Sequence, residues 1–242
     1  MRLFFSESTN PAYNLALEEY LLLHGTDDIL LFYVNSPCVV LGYNQCLQNE
    51  VNVDFCKANN IEVFRRTSGG GAVYHDTGNL NFSFIGQVYS DDSVLTSDFL
   101  LPVVAWLNTL GVDVSIGKRK DLWLPNARKI GGTASKISKG RSLQHGTILF
   151  DANLEWLKNS LSSNHINPDV RATKSVRSKT ANILSYLYNK TNQTLNPEGL
   201  IEAMVKIAAE YYEVDIERQV VVGDSFQSVF DRLNDENYIS RK

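Results

Sequence analysis

The chain has 242 residues, 43% of them hydrophobic and 21% charged, a composition typical of globular proteins. Its net charge of −4 argues against a general affinity for nucleic acid or for an anionic membrane surface. No apolar run reaches the ~18–20 residues that span a bilayer, and the N-terminus lacks the long apolar core of a signal peptide.

Capping residues, side-chain periodicity and turn signals predict the elements in chain order. Asn10 and Pro11 begin a helix that ends at Gly25. Strands are predicted over residues 29–34, 38–43, 61–66, 71–75, 80–86, 112–117, 127–135 and 142–150. Further helices are predicted over residues 52–59, 95–110, 153–161 and about 197–212.

Three details of this assignment are open to test. The strands 29–34 and 38–43 are expected to pair like a hairpin, because a short turn at residues 35–37 joins them. Pro102 is expected to kink the helix that contains it. A polar, basic loop is predicted over residues 162–179.

The order of these elements predicts the fold class. Strands follow strands without regular alternation with helices, so the fold is α+β, with a mixed, mainly antiparallel sheet and helices packed on it. Neither a linker nor an internal repeat divides the sequence, and we expect one domain over residues 1–242.

The cysteines Cys38, Cys46 and Cys56 are odd in number and have no metal-binding spacing. This pattern predicts buried, idle thiols in a reduced, cytoplasmic protein.

Positive charge is concentrated in two segments. Residues 118–141 hold eight of the 23 basic residues and one acid, and residues 171–179 hold four more and no acid. Such clustering in an acidic protein indicates attraction of an anionic ligand or partner, although solvated loop or strand faces give the same pattern.

The most unusual stretch is RRTSGGGAVYHDTGN at residues 65–79. Three glycines leave the backbone N–H groups open to a ligand, and Arg65 and Arg66 offer the planar fork that suits phosphate and carboxylate. The spacing matches neither a P-loop nor a dinucleotide fingerprint. Phosphate binding and a β-bulge both remain compatible with the glycines.

Several segments together resemble the lipoate–protein ligase family. They are RRTSGGGAVYHDTGNLNFSF, KDLWLPNARKIGGTASK, SLQHGTILFDANL and TKSVRSKTANI, with SPCVVLGYNQ and the opening helix NPAYNLALEE. The resemblance covers about residues 1–190, and it implies the catalytic-domain fold of the biotin and lipoate protein ligases.

The resemblance also implies the site residues. Lys129 is the expected catalytic residue, contacting the lipoyl carboxyl group and the α-phosphate. The residues expected to bind ATP or lipoyl-AMP are Arg66, Gly71, Ala72, Val73, Tyr74 and Lys129. The supporting positions are Ser68, His75, Asn79, Asp121 and His145. Asp121 is in addition a candidate Mg²⁺ ligand, and His75, which precedes Asp76, is also compatible with a structural role.

The implied reaction is the ATP-dependent attachment of lipoate to a lysine through lipoyl-AMP, with ATP and Mg²⁺ as cofactors. The implied partners are lipoyl domains of 2-oxoacid dehydrogenase E2 subunits and the glycine cleavage H protein, with no nucleic acid or membrane. Cationic groups suit this chemistry because a carboxylate must approach a phosphate. The loop 162–179 is expected to be mobile and to close over the adenylate.

Other functions stay open at this point. The sequence ends at Lys242, so we expect no C-terminal accessory domain; the chain would then act alone, need a separate accessory subunit, or transfer preformed lipoyl-AMP. Octanoyl transfer through a cysteine is disfavoured, because no cysteine follows Lys129. A non-enzymatic nucleotide-binding module is expected to lack Lys129 or Arg66, and both are present.

Overall fold

The computed structural model describes residues 1–88, 98–163 and 171–241. The strands are β1 (Arg2–Phe5), β2 (Ile29–Val34), β3 (Cys38–Leu41), β4 (Glu62–Arg65), β5 (Val73–His75), β6 (Asn79–Gln87), β7 (Ser115–Ile116), β8 (Leu122–Trp123), β9 (Lys129–Gly131), β10 (Thr133–Ser138), β11 (Arg141–Leu149) and β12 (Ile216–Glu217). The helices are α1 (Pro11–His24), α2 (Leu47–Glu50), α3 (Val53–Ala58), α4 (Leu100–Thr109), α5 (Leu154–Ser160), α6 (Ile183–Thr191), α7 (Pro197–Tyr212), α8 (Ser225–Leu233) and α9 (Glu236–Ser240).

A six-stranded sheet in the order β10-β11-β6-β2-β1-β12 forms the centre of the fold. The first three pairings in this order are antiparallel and the last two are parallel. This confirms the predicted α+β class with a mixed, mainly antiparallel sheet.

Two smaller sheets lie beside the central one. β3 lies between β4, to which it is parallel, and β5, to which it is antiparallel. β7, β8 and β9 form the other sheet. Since the glycines lie between β4 and β5, the small β4-β3-β5 sheet fixes the position of the predicted site.

Helices cover both faces of the central sheet. α4 and α7 pack in a cluster with Phe32, Phe82 and Trp106, whereas α1 and α8 pack in a second cluster with Leu31 and Ile85. Neighbouring strand residues point to opposite faces of a sheet, so β2 contributes to both clusters. Within the described residues, the helices lack the length and apolarity required to cross a membrane.

The expected hairpin between residues 29–34 and 38–43 is wrong. β2 pairs with β1 and β6 in the central sheet, whereas β3 belongs to the small sheet with β4 and β5. Tyr33 and Val39, six residues apart, consequently lie in different sheets. The short turn between the strands therefore serves as a crossover between two sheets.

Two other expectations are also corrected. The strand predicted over residues 127–135 is two strands, β9 and β10, which belong to different sheets and are separated by Gly132. Pro102 lies in the first turn of α4, where its missing N–H removes no helical hydrogen bond, so it causes no kink there. Residues 95–97 of the predicted helix lie outside the described residues.

Candidate active site

The glycine loop, residues 68–71, joins β4 to the segment that enters β5. Gly70 has a φ of +85°, a left-handed conformation that a residue with a Cβ adopts only with strain. The glycine is therefore required at this position by the backbone, before any ligand is considered.

Arg66 holds the glycine loop in place. Its guanidinium donates to the Ser68 hydroxyl at 3.0 Å and to the carbonyls of Val40 at 3.1 Å, Gly69 at 2.5 Å and Gly71 at 2.8 Å. Burial lowers the pKa of this guanidinium to about 10, so it stays cationic at neutral pH. Arg66 thus brings a buried positive charge to the loop and fixes its shape.

Arg65 does not share this role, contrary to the expectation that both arginines face a ligand. Its side chain is buried and donates to the carbonyls of Gly42, Gln45 and Ile239 at 3.1, 2.7 and 2.6 Å. Arg65 therefore fastens the end of α9 to the turn after β3.

A buried hydrogen-bond network continues from the loop into the core. Ser68 Oγ lies 2.7 Å from His145 Nε2, and His145 Nδ1 lies 2.8 Å from the Glu18 carboxylate. Ser83 and Tyr33 donate to the same carboxylate at 2.5 and 3.3 Å. Burial alone raises the pKa of Glu18, but His145 and the hydroxyl donors outweigh it, so the pKa is lowered and the carboxylate is ionised.

A cavity of about 330 Å³, the inner cavity, lies beside this network. Its wall includes Arg66, Lys129 and the apolar side chains of Leu15, Val40 and Val73. The other lining residues are Tyr33, Gly70, Gly71, Ala72, His75, Asn81, Arg119, Asp121, Gly132, Thr133, Ala134, His145, Gly146, Thr147, Thr173, Lys174, Ser175 and Val176. The combination of apolar walls and cationic groups suits an acid with a hydrocarbon chain.

A second, outer cavity of about 800 Å³ lies next to the first. Tyr74, Leu149, Leu154 and Leu157 give it an apolar wall, and residues 174–180 line it as well. The two cavities share Ala72, Val73, Lys129, Gly132, Thr147, Lys174, Ser175 and Val176. The shared residues mark a junction between the cavities, and Lys129 lies there.

Asp121 and Arg119 set the charge state of Lys129. The ammonium of Lys129 is 3.3 Å from the buried Asp121 carboxylate, and Arg119 approaches the same carboxylate at 3.6 Å. Burial lowers the pKa of Lys129, and Asp121 offsets part of that effect. For Asp121, burial is outweighed by hydrogen bonding to Trp123 and the charge of Lys129, so its pKa is lowered.

Residues 171–180, the strap, lie over both cavities. Ser175 Oγ accepts hydrogen bonds from Ala72 N at 2.9 Å and from Gln45 Nε2 at 3.0 Å, and Ser175 N donates to Glu50 at 3.1 Å. At the other end, Lys129 N donates to the carbonyl of Lys179 at 2.9 Å. The strap thus contacts both the glycine loop and the backbone of the cationic lysine. Residues 164–170 of the predicted mobile loop lie outside the described residues.

The structure brings most of the predicted site residues together. Ser68 and Asn79 line neither of the two cavities; Ser68 acts through Arg66 and His145, and Asn79 donates to Asn81 at 3.1 Å. Sequence reasoning missed Glu18, Gln45 and Ser175. An acid within the apolar stretch LALEEYLLL was the available signal for Glu18, whereas Gln45 and Ser175 had none beyond the family resemblance.

Magnesium has no ready-made site of several protein ligands among the described residues. Across residues 1–88, 98–163 and 171–241, no three His, Cys, Asp or Glu side chains are placed to hold a metal ion. Asp121, the candidate ligand, is already paired with Lys129 and Arg119. Mg²⁺ usually keeps several waters and binds through one or two carboxylates together with substrate phosphates, so a role for Asp121 as its ligand depends on ATP.

The cysteines have the environment that the sequence predicts. Cys38, Cys46 and Cys56 are buried free thiols, and none lines the inner or the outer cavity. Burial raises the pKa of Cys38, which keeps that thiol protonated and unreactive.

Comparison with known proteins identifies the family. Residues 10–209 match the model of the lipoyl protein ligase A/B catalytic domain. The chain is 36% identical to lipoate–protein ligase 1 of Staphylococcus aureus over 95% of this chain and 68% of that protein. It spans 55–68% of the length of the first three curated relatives that it matches.

Two solved structures are similar over nearly the whole chain. One is a bipartite lipoate protein ligase from Thermoplasma acidophilum, which is described with its E2 lipoyl domain. The two structures superpose with a TM-score of 0.78 at 28% sequence identity, and the match covers 99% of this chain and 95% of that one. The other is a lipoate-protein ligase A bound with ATP, with a TM-score of 0.75, 30% identity and coverage of 98% and 95%. The matched residues 10–209 contain the glycine loop, Lys129 and the strap, and the chain therefore belongs to the lipoyl protein ligase A/B catalytic-domain family.

Proposed function

We propose that the protein attaches lipoate to a lysine of an acceptor protein in two steps, with ATP consumed in the first. The observation that carries this proposal is the position of Lys129, which lines both the inner and the outer cavity. A cation at such a junction can contact a carboxylate on one side and an α-phosphate on the other. Activation of an acid by ATP requires this arrangement, because the two anions repel each other.

In the first step, the lipoate carboxylate attacks the α-phosphorus of ATP. A bond forms between a carboxyl oxygen and phosphorus, the bond to the bridging oxygen breaks, and pyrophosphate leaves. Lys129 stabilises the charge that accumulates, and we assign the nucleotide to the segment 71–74, where the Ala72 N–H can reach a phosphate oxygen once Ser175 releases it. Arg66 contributes a buried charge and holds the loop through the carbonyls of Gly69 and Gly71.

In the second step, the amine of the acceptor lysine attacks the carbonyl carbon of lipoyl-AMP. An amide bond forms, AMP leaves with the electron pair of the broken anhydride bond, and the amine nitrogen gives up one proton to solvent. The inner cavity keeps the acyl chain fixed meanwhile, which lowers the entropic cost of reaching the transition state. Mg²⁺ enters this proposal with the phosphates of ATP, and no step is assigned to a metal held by the protein.

The acceptors that we propose are lipoyl domains of 2-oxoacid dehydrogenase E2 subunits and the glycine cleavage H protein. The T. acidophilum ligase described with its E2 lipoyl domain supports the first of these. The cytoplasm is the proposed location, in keeping with three free thiols.

Exchange of labelled pyrophosphate into ATP tests the first step. We expect exchange that depends on lipoate, because formation of lipoyl-AMP is reversible while pyrophosphate is present. If lipoate fails to induce exchange but the protein transfers the lipoyl group from synthetic lipoyl-AMP, the isolated chain acts as a transferase.

A second candidate function is ligation that needs a separate accessory subunit. The observation in its favour is that the chain spans 55–68% of its first curated relatives and 95% of a ligase described as bipartite. Under this alternative, the isolated chain transfers the lipoyl group from lipoyl-AMP, and addition of the accessory subunit restores exchange. Octanoyl transfer through a cysteine finds no support, since no cysteine lines either cavity.

A further inference from the structure

The wall of the inner cavity is more polar than a plain hydrocarbon chain requires. Tyr33, His75, Asn81 and His145 line this cavity and do not line the outer one. Under the proposed function, the carboxylate lies at the junction with Lys129, so the other end of the acyl chain enters this polar region. Tyr33, Asn81 and His145 have hydrogen-bond partners within the protein, which leaves His75 as the residue of this group to consider as a donor to the chain end.

The protonation of His75 can be derived from its neighbours. The carbonyl of Ser8 only accepts, so the Asn14 side-chain atom 2.7 Å from it is the nitrogen. Asn14 donates in turn to Asn35 Oδ1 at 2.9 Å, which directs Asn35 Nδ2 to His75 Nδ1 at 3.1 Å. Because Nδ1 accepts, the proton of the neutral imidazole is on Nε2.

The Nε2–H of His75 lacks an acceptor. His75 is 3% exposed, and Nε2 has no hydrogen-bond partner among the described residues. Burial, with a smaller contribution from the charge of Arg66, lowers the pKa of His75 to about 3, so the ring stays neutral at physiological pH. A buried donor without an acceptor is costly, and a ligand that supplies the acceptor removes that cost.

We propose that His75 determines specificity by donating its Nε2–H to a heteroatom at the far end of the acyl chain, namely a dithiolane sulfur. This inference rests on the proposed function, which places the carboxylate at Lys129. Octanoate has the same chain length but offers no acceptor, so it leaves the N–H unpaired. Discrimination of this kind arises because a site built for a polar contact rejects the analogue that lacks it.

Three forms of the protein test the proposal: the wild type, His75→Leu and His75→Gln. Leucine removes the donor and stays close to the imidazole in size, whereas glutamine places an amide N–H near the position of Nε2. Calorimetric titration gives the affinity for lipoate relative to octanoate, and pyrophosphate exchange gives kcat/KM for lipoate relative to octanoate. Thermal unfolding of each variant reports on folding.

We expect His75→Leu to weaken lipoate binding by about 2- to 3-fold, the low end for one hydrogen bond because sulfur is a weak acceptor, with octanoate binding unchanged or improved. His75→Gln is expected to retain most of the preference for lipoate. In ¹⁵N spectra of the wild type, lipoate should shift the Nε2–H signal of His75 and octanoate should not. A purely structural role predicts none of these differences between the two acids.

Equal losses for both acids in His75→Leu overturn the inference, as does a folded His75→Gln that behaves like His75→Leu. The failure of the proposed function has a different signature. If the wild type binds lipoate without pyrophosphate exchange, ATP-dependent activation by the isolated chain is excluded, while the affinity ratios still decide the role of His75. If the wild type binds neither acid, both proposals are wrong.

Discussion

The hydroxyl oxygen of Ser175 accepts a 2.9 Å hydrogen bond from the backbone N–H of Ala72. Ala72 belongs to the segment that the proposed function assigns to the nucleotide, and Ser175 thus occupies a position that a phosphate oxygen needs. Under the proposed function, the strap and ATP compete for one donor, and nucleotide binding then requires a local shift of the strap.

Replacement of Ser175 by alanine removes this competitor. We expect Ser175→Ala to bind ATP about 3- to 10-fold more tightly than the wild type, since one hydrogen bond no longer has to be broken. The exchange rate of the Ala72 amide hydrogen, followed without ligand, should rise in the same variant. Ser138→Ala, at the end of β10 and in neither cavity wall, is the control. Weaker ATP binding by Ser175→Ala contradicts the competition and indicates that Ser175 supports the bound state.

Lys129→Ala tests whether the lysine at the junction of the inner and outer cavities acts in the reaction. We expect a folded protein whose rate of pyrophosphate exchange falls by about 10²- to 10³-fold or more, because a preorganised charge at the reacting centre is lost. Lys139→Ala, on an exposed turn outside both cavities, should keep the wild-type rate. Near-normal exchange by Lys129→Ala contradicts the proposed mechanism.

The glycine loop allows a matched pair of substitutions. A Cβ on Gly71 meets Ser175 Oγ at 2.9 Å, whereas a Cβ on Gly69 meets nothing within 4 Å. The space on the Cβ side of Gly71 is therefore occupied by the strap. We expect Gly71→Val to abolish nucleotide binding with a small change in melting temperature, because Gly71 lines the inner cavity beside Ala72 and a branched side chain there takes space that the ligand needs. Gly69→Val should bind a lipoyl-AMP mimic normally in calorimetric titration, and equal affinities of the two variants would contradict this account.

Asp121 and Arg119 have opposite effects on the pKa of Lys129, so replacing each of them should shift the pH dependence of the reaction in opposite directions. Burial lowers the pKa of Lys129, Asp121 raises it and Arg119 lowers it. Since Lys129 must be protonated to act, pyrophosphate exchange should fall as the pH rises through its pKa. Asp121→Asn should move this alkaline limb to lower pH, and Arg119→Gln should move it to higher pH. Profiles of kcat/KM against pH measure both shifts, and shifts in the same direction would exclude Lys129 as the titrating group.

The basic segments predict salt-sensitive capture of the acceptor. Lys136 contacts Thr67 beside the glycine loop and Lys139 lies on the turn after β10, and neither forms an ion pair within the described residues. If the acceptor presents an acidic hairpin, Lys136→Glu and Lys139→Glu should raise its KM severalfold.

Salt provides the second measurement. The KM for the acceptor should rise steeply with salt, because the Debye length falls from ~10 Å at 0.1 M to ~3 Å at 1 M, while lipoate binding changes little. Lys57→Glu, which makes the same charge change on α3, is the control. A flat response of the acceptor KM to salt contradicts electrostatic steering.

The sequence by itself determined those features that depend on residues adjacent in the chain. Asn10 with Pro11, and Asn196 with Pro197, define the first turns of α1 and α7, because a cap acts within one helical turn. The glycine motif, Lys129 and the loop 162–179 were predicted in the same way, from short stretches and their resemblance to one family. The α+β class also followed, since it needs only the order of the elements.

The tertiary structure alone decided which distant residues meet. Ala72 and Ser175 are 103 positions apart, and Glu18 and His145 are 127 apart, so no local pattern links them. Tertiary packing also placed β2 and β3 in different sheets, and it buried Arg65 and Arg66 against different partners. Strand propensity does not specify a strand's partners, and the orientation of a buried guanidinium depends on which carbonyls surround it after the chain has packed.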